Sequence, residues 1–226
     1  MSGVPFRARL ISVGLPAVAA AVLLSGCTGL DEASAAGIAR NDLISETAAQ
    51  LSRVTDLTYT AKYQLTDGES ATVTQAQRPT RTAYDFPGGR LIRTAKGTIN
   101  CDKAWTCTQT DPTPVLPEPL PGTALVTPEA ALAMLNTAAL DQDVTATRRD
   151  TTIVGRPASC LQLAKVDGTP TSEFSLCVTN EGAMASFAAT IDGKRIDQAL
   201  TAYAEKVDTS TFTLPATAKL TDKRTR

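Results

Sequence analysis

The residues best equipped for chemistry are five cysteines, in a chain of 226 residues that has no histidine. Cys27 closes the run Leu24-Ser25-Gly26-Cys27, at the end of an apolar segment from roughly Leu10 to Leu24 that follows Arg7 and Arg9. A basic stretch, an apolar stretch and a small-residue cleavage site in that order predict a secretory signal peptide over 1–26. A membrane span fits less well, because the run falls short of about 20 residues and is interrupted by Gly14 and Pro16. The other cysteines are Cys101, Cys107, Cys160 and Cys177. An even number in an exported chain predicts two disulfides. A four-thiolate zinc site needs closer pairs than these, and no Cys-x-x-Cys suggests redox work. Without His the commonest metal ligand and the usual general base are missing. No Gly-x-Ser-x-Gly, Ser-x-x-Lys or metal-ligand cluster appears. The expectation is a chain without catalytic residues, cofactor or metal.

The cysteines can be tested against their neighbours. If Cys160 faces Cys177 across an antiparallel pair, Leu161 faces Leu176 and Leu163 faces Phe174. The large apolar residues then meet on one face and the disulfide lies on the other, a match that a one-residue slip would destroy. Gly168 falls at the turn. Cys101 and Cys107 enclose a plausible hairpin loop containing Trp105. The local pairs Cys101–Cys107 and Cys160–Cys177 are therefore favoured. Both read as structural.

The elements that position these residues follow from periodicity. Thr28 to Gly37 is small and polar, and 27–37 reads as a flexible tether. A helix is expected from Ile38 to Val54, with Ile44, Ala48, Leu51 and Val54 on its buried face. In Leu57 to Asp67, Tyr59, Ala61, Tyr63 and Leu65 alternate with polar residues, which predicts a half-buried strand. Turns at Asp67-Gly68 and Pro87-Gly88-Gly89, and a break at Pro79, divide Glu69 to Thr110 into further short strands of an antiparallel meander. Asp111 to Gly122 holds five prolines. It reads as an extended connector or, alternatively, as a lid that rests Val115, Leu116 and Leu120 on an apolar opening. A second helix begins with Thr127 as N-cap, Pro128 at the first position and Glu129 in the first turn. Its expected stripe is Leu132, Leu135 and Ala139. Strands over 144–154, 158–166, 172–179 and 183–191 follow. Residues 194–207 fit a helical stripe or a strand; the Asp192-Gly193 turn favours the strand. Phe212 to Pro215 closes a single domain over 38–216, and 217–226 is expected to be a flexible basic tail.

Composition narrows the function classes. The chain carries 22 basic and 23 acidic residues, so it offers no electrostatic footprint for nucleic acid. Its abundant Ala, Thr and Arg suggest a GC-rich genome such as an actinobacterium.

Two resemblances add to this reading. Leu, Ser, Gly and Cys at positions 24 to 27 resemble the lipobox of bacterial lipoprotein precursors. The resemblance implies that the Cys27 thiol takes a diacylglyceryl group, that cleavage makes Cys27 the N-terminus, and that acyl chains such as palmitate hold the domain on the extracytoplasmic face of the cell membrane. The element order, the Leu57-Thr58-Tyr59-Thr60-Ala61 strand after an amphipathic helix, and the closing Phe212-Thr213-Leu214-Pro215 resemble the LolA/LolB type of lipoprotein carrier. Mycobacterial lipid-carrier lipoproteins and RseB-type envelope sensors share that shape. The resemblance implies an α+β fold, a curved and mostly antiparallel half-barrel with two helices packed on its concave side. It also implies a protein, here expected to be a monomer, that binds, carries or senses a lipid or lipoprotein. The candidate lining is Tyr59, Tyr63, Leu65, Tyr84, Phe86, Leu91, Trp105, Leu132, Leu135, Leu163, Phe174, Leu176 and Phe187. The alternative is that these residues fill a closed core and that the protein is a scaffold engaging another envelope protein.

Overall fold

The computed structural model describes residues 28–112, 120 and 123–225, with the side chains of 28–38 and of Asp67 outside the description. Residues 1–26, read above as a signal peptide, Cys27, and Val115 and Leu116 of the proline-rich segment lie outside the described residues.

Helix α1 (Thr28–Ser52) runs into a short 3₁₀ turn over Arg53–Asp56. It starts at Thr28 rather than at Ile38, over the stretch read as a tether. Its buried face is Ile44, Thr47 and Leu51, continued by Val54; Ala48 sits at the margin. The strands follow the period-two reading closely. They are β1 (Tyr59–Leu65), β2 (Ser70–Gln77), β3 (Thr80–Phe86), β4 (Gly89–Thr94), β5 (Gly97–Asp102) and β6 (Thr106–Thr110). Each pairs antiparallel with the next. In β1 the buried residues are Tyr59, Ala61, Tyr63 and Leu65, one face of the pleat.

Helix α2 (Pro128–Leu140) begins where the sequence places it. The Thr127 hydroxyl accepts a hydrogen bond from the Ala130 N–H at 3.2 Å, and Pro128 occupies the first turn. Its stripe differs from the expectation. Ala131, Met134, Leu135 and Ala138 are buried, while Leu132 and Ala139 pack at the margin. α2 packs on α1 and shares the first apolar cluster with the sheet.

The second series is β7 (Thr145–Ile153), β8 (Arg156–Ala164), β9 (Glu173–Thr179), β10 (Met184–Ile191) and β11 (Lys194–Ala204). Residues 194–204 are thus a strand. Asp192 and Gly193, both at positive φ, make the two-residue turn that joins it to β10. The two series meet where β1 pairs with β11, and with β12 (Lys219–Asp222) one sheet of twelve strands results, in the order β12-β6-β5-β4-β3-β2-β1-β11-β10-β9-β8-β7. The protein is α+β, with a large, open, curved and mostly antiparallel sheet and two helices.

The tail expectation needs correction. Lys219–Asp222 forms β12, which pairs parallel with β6. The Thr225 N–H donates to the Asp111 carboxylate at 3.1 Å, and Arg224 donates to the Lys96 carbonyl. Basic residues that look solvated in sequence here find carbonyls along an otherwise unpaired strand edge.

Both disulfides connect the pairs favoured by local register. Cys160 faces Cys177, Leu161 faces Leu176 and Leu163 faces Phe174. Cys101 faces Cys107. In the chain-entropy account, closing a loop of about 15 residues is worth about 3 kcal/mol. One glycine is fixed by contact. Gly182 has φ +109°, and a Cβ there would lie 2.7 Å from the Gln50 carbonyl oxygen. The end of α1 is pressed against the β9–β10 turn and held there by Gln50 Nε2, which donates to the Thr179 carbonyl at 2.9 Å.

Candidate functional site: the apolar inner face

The pleat places alternate residues of the sheet on one inner face, where they form two clusters. The first lies on the β7–β11 half. Leu163, Phe174, Leu176 and Phe187 meet Leu135 of α2 and Ile44 and Leu51 of α1, with Leu132 at the rim. The rings of Phe174 and Phe187 stack, with centroids 6.0 Å apart. Both helices belong to this cluster.

The second cluster lies on the β1–β4 half and holds Tyr59, Tyr63, Leu65, Tyr84 and Leu91, with Phe86 at the margin. Among the described residues no side chain of α1 or α2 belongs to it. Its cover includes Val54 of the 3₁₀ turn and two residues ahead of α2, Leu120, 3% exposed, and Leu125, 0% exposed, which we call the strap. The segment is folded on itself. The Leu120 N–H donates to the Leu125 carbonyl at 3.1 Å, and the Thr123 hydroxyl donates to the Leu120 carbonyl at 2.9 Å.

Two polar contacts hold this cover. Arg93 of β4 meets Glu129 in the first turn of α2 at 3.0 Å. The Val126 N–H donates to Gln198 Oε1 of β11 at 2.8 Å. The two helices pack on one half of the inner face, and the strap and Val54 lie over the other.

Trp105 joins neither cluster, contrary to expectation. The disulfide Cys101–Cys107 tightens the β5–β6 hairpin. The Asp102 carboxylate accepts from the Ala104 and Thr106 N–H groups at 2.8 and 2.9 Å. Trp105 is left at φ +60° in that turn, under the Arg90 guanidinium 5.0 Å from the ring centroid. The other twelve lining candidates divide between the two clusters.

The three tyrosines give the second cluster a polar undertone. The Tyr63 hydroxyl donates to the Met184 carbonyl at 2.8 Å. Tyr59 stacks on Tyr203, with centroids 5.5 Å apart. Burial raises the phenol pKa of Tyr59, Tyr63 and Tyr84 well above the ordinary value. Neighbouring negative charge adds to the effect, from Tyr203 at Tyr63 and from Glu129 at Tyr84, where Arg93 opposes it. The folded state therefore keeps protons that the unfolded chain loses at about pH 10. The stabilisation is complete below that pH and is lost as pH rises above it. Alkaline titration followed by tyrosinate absorbance is expected to show these three phenols ionising only together with unfolding. Early ionisation of all four tyrosines of the chain in the folded protein would show that the cluster is open to water.

Grooves bordered by many polar side chains open on the surface of the sheet. One of about 720 Å³ is bordered by Gln162, Glu173, Ser175, Thr190 and Arg195 at one end of the β8–β11 half. One of about 280 Å³ is bordered by Gln75, Thr82, Arg93, Thr98 and Glu129 beside the strap. Among the described residues, no group of three or more His, Cys, Asp or Glu could hold a metal ion, and no helix is long and apolar enough to cross a membrane.

The strap residue Leu125, the pair Arg93–Glu129 and Gln198 were not singled out from sequence. A signal existed for Gln198. Once 194–204 is a strand, it falls between Ile196 and Leu200 on the inner face.

No family model matches the sequence, and no curated protein matches it. Solved structures resemble the fold. An uncharacterized conserved protein from Thermus thermophilus aligns with a TM-score of 0.51 at 13% identity, over 79% of this chain and 98% of that one. At that identity the likeness is one of fold. Lower scores are given by the Mycobacterium tuberculosis lipoprotein LppX, at 0.39 with 11% identity over 72% of this chain and 97% of that one. LprF from Mycobacterium bovis scores 0.41, with 13% identity over 77% and 97%.

Proposed function

We propose that the protein is a membrane-anchored extracytoplasmic lipoprotein, acylated at Cys27, that binds and carries or senses a lipid or lipoprotein without covalent chemistry. One observation carries the reading. The apolar face of β1–β4 is covered by Leu120 and Leu125 of the strap together with Val54 of the 3₁₀ turn, and no described side chain of α1 or α2 reaches it. A strap of a few residues is easier to displace than a packed helix, because local opening costs scale with the contacts broken. An acyl chain that takes the place of two leucine side chains gains the same free energy of burial, about 25 cal/mol per Å² of apolar area.

A second reading has its own support. Tyr59, Tyr63, Tyr84, Leu135, Leu163, Phe174, Leu176 and Phe187 are all fully buried, as in a closed core that serves a scaffold. Lipid loading separates the two. Protein stripped of bound lipid and exposed to a membrane extract is expected to retain acyl lipid detectable by mass spectrometry. Protein that gains no acyl ligand would overturn carriage in favour of the scaffold.

A further inference from the structure

We propose that Gln198 donates a hydrogen bond to the carbonyl oxygen of an acyl ester lodged where the two apolar clusters meet, so that the interior selects esterified lipid over bare hydrocarbon. The inference rests on the lipid-binding reading above and names the ligand class of that same site.

Gln198 is 2% exposed. It lies in β11 with Leu65 of β1 as its partner on one side and Phe187 of β10 on the other. Leu65 belongs to the second cluster and Phe187 to the first, so Gln198 marks their seam. Its amide has a fixed sense. Val126 N–H is a donor, so the oxygen must face it, and the bond is 2.8 Å. The NH₂ group is thereby turned elsewhere, and Nε2 is buried with no hydrogen-bond partner. Buried donors are nearly always paired, and leaving one unpaired is costly.

The residues that flank it on the inner face offer no side-chain acceptor: its register partners Leu65 and Phe187 and its same-face neighbours Ile196 and Leu200 are hydrocarbon. A water would need two or more polar partners, and its own O–H groups would be stranded against those four side chains. A carboxylate would bring a charge into an apolar interior, which is far more costly than a neutral group. A hydroxyl would bring a further donor. A neutral acceptor with no donor of its own, flanked by alkyl chain, accepts from Nε2 and adds no further unpaired donor. That is the chemistry of an ester carbonyl.

The test uses the full chain stripped of lipid. It is offered methyl palmitate or a straight-chain hydrocarbon of equal heavy-atom count, and bound probe is counted by mass spectrometry after correction for each probe's partition into alkane. The ester is expected to load about tenfold better than the hydrocarbon, and Gln198→Met is expected to erase the preference while still taking up hydrocarbon. With an isotope-labelled carbonyl, the ester stretch is expected at lower frequency in the protein than in alkane, and to return in the variant. Equal loading of the two probes by the unsubstituted chain, or an unshifted carbonyl band, overturns the role of Gln198 while leaving lipid binding in place. Failure of both probes to load overturns the lipid reading and this inference with it. Should Gln198→Met fail to fold, the two-probe comparison and the carbonyl band in the unsubstituted chain still decide.

Discussion

A Cys27→Ala chain is expected to incorporate no labelled fatty acid and to escape processing to the mature size, whereas the parent chain takes label and is shortened to begin at Cys27. The argument is one of chemistry and then of magnitude. Cys27 supplies the nucleophilic sulfur immediately after Leu24-Ser25-Gly26, and alanine has no atom to acylate. Each buried methylene of an acyl chain contributes about 0.8 kcal/mol, and a single chain gives only marginal anchoring. Two or three chains on one residue separate a durably bound protein from a released one. The loss on substitution is therefore nearly complete rather than graded. On the proposed acylation at Cys27, the anchor would lead into α1, which begins at Thr28. A helix advances about 1.5 Å per residue, and so transmits the position of the anchor better than loose chain. Label in the variant, or none in the parent, would refute the anchor.

Much of the sheet was legible because its signals are local. The alternation in β1, the turn residues and the cysteine register each depend on neighbours within a hairpin, and each has one physical solution. The Leu161–Leu176 and Leu163–Phe174 pairs are an instance: the pattern tolerates no slip, and the structure has that register. What sequence hid is non-local. The β12 edge strand is held by a parallel partner more than a hundred residues away, through contacts of Lys219 and Lys223 with the carbonyls of Trp105 and Gln109. A basic terminal stretch gives no sign of that. The division of the inner face was hidden for the same reason. Leu132 and Leu135 have equal claims to a buried stripe on periodicity alone; in the fold Leu135 is buried in the first cluster and Leu132 stays at its margin. Trp105 misled because size suggested burial, while a turn clamped by Asp102 and a disulfide turns it away.

Leu125→Ala is expected to speed the uptake of an acyl probe by about thirtyfold or more. Leu125, part of the strap, is fully buried, and truncating a buried leucine costs about 2–5 kcal/mol. If the strap opens as a local unit, that cost falls on the closed state and raises the open fraction by tenfold per about 1.4 kcal/mol. The chain should still fold, since the cost is below the about 5–15 kcal/mol typical of a domain, and the two disulfides and the β1–β11 pairing are untouched. Native-state hydrogen exchange supplies the matching observation in the unsubstituted chain. The Leu120 and Val126 amides, bonded to the Leu125 carbonyl and to Gln198, should exchange through an opening insensitive to denaturant. Amides in β1 and β2 should exchange only with global unfolding. A different result would decide against the strap as a door. If the Leu120 and Val126 amides open only when the whole sheet does, and Leu125→Ala lowers stability without faster uptake, those leucines belong to a closed core. The cluster under them then supports a scaffold rather than a carrier.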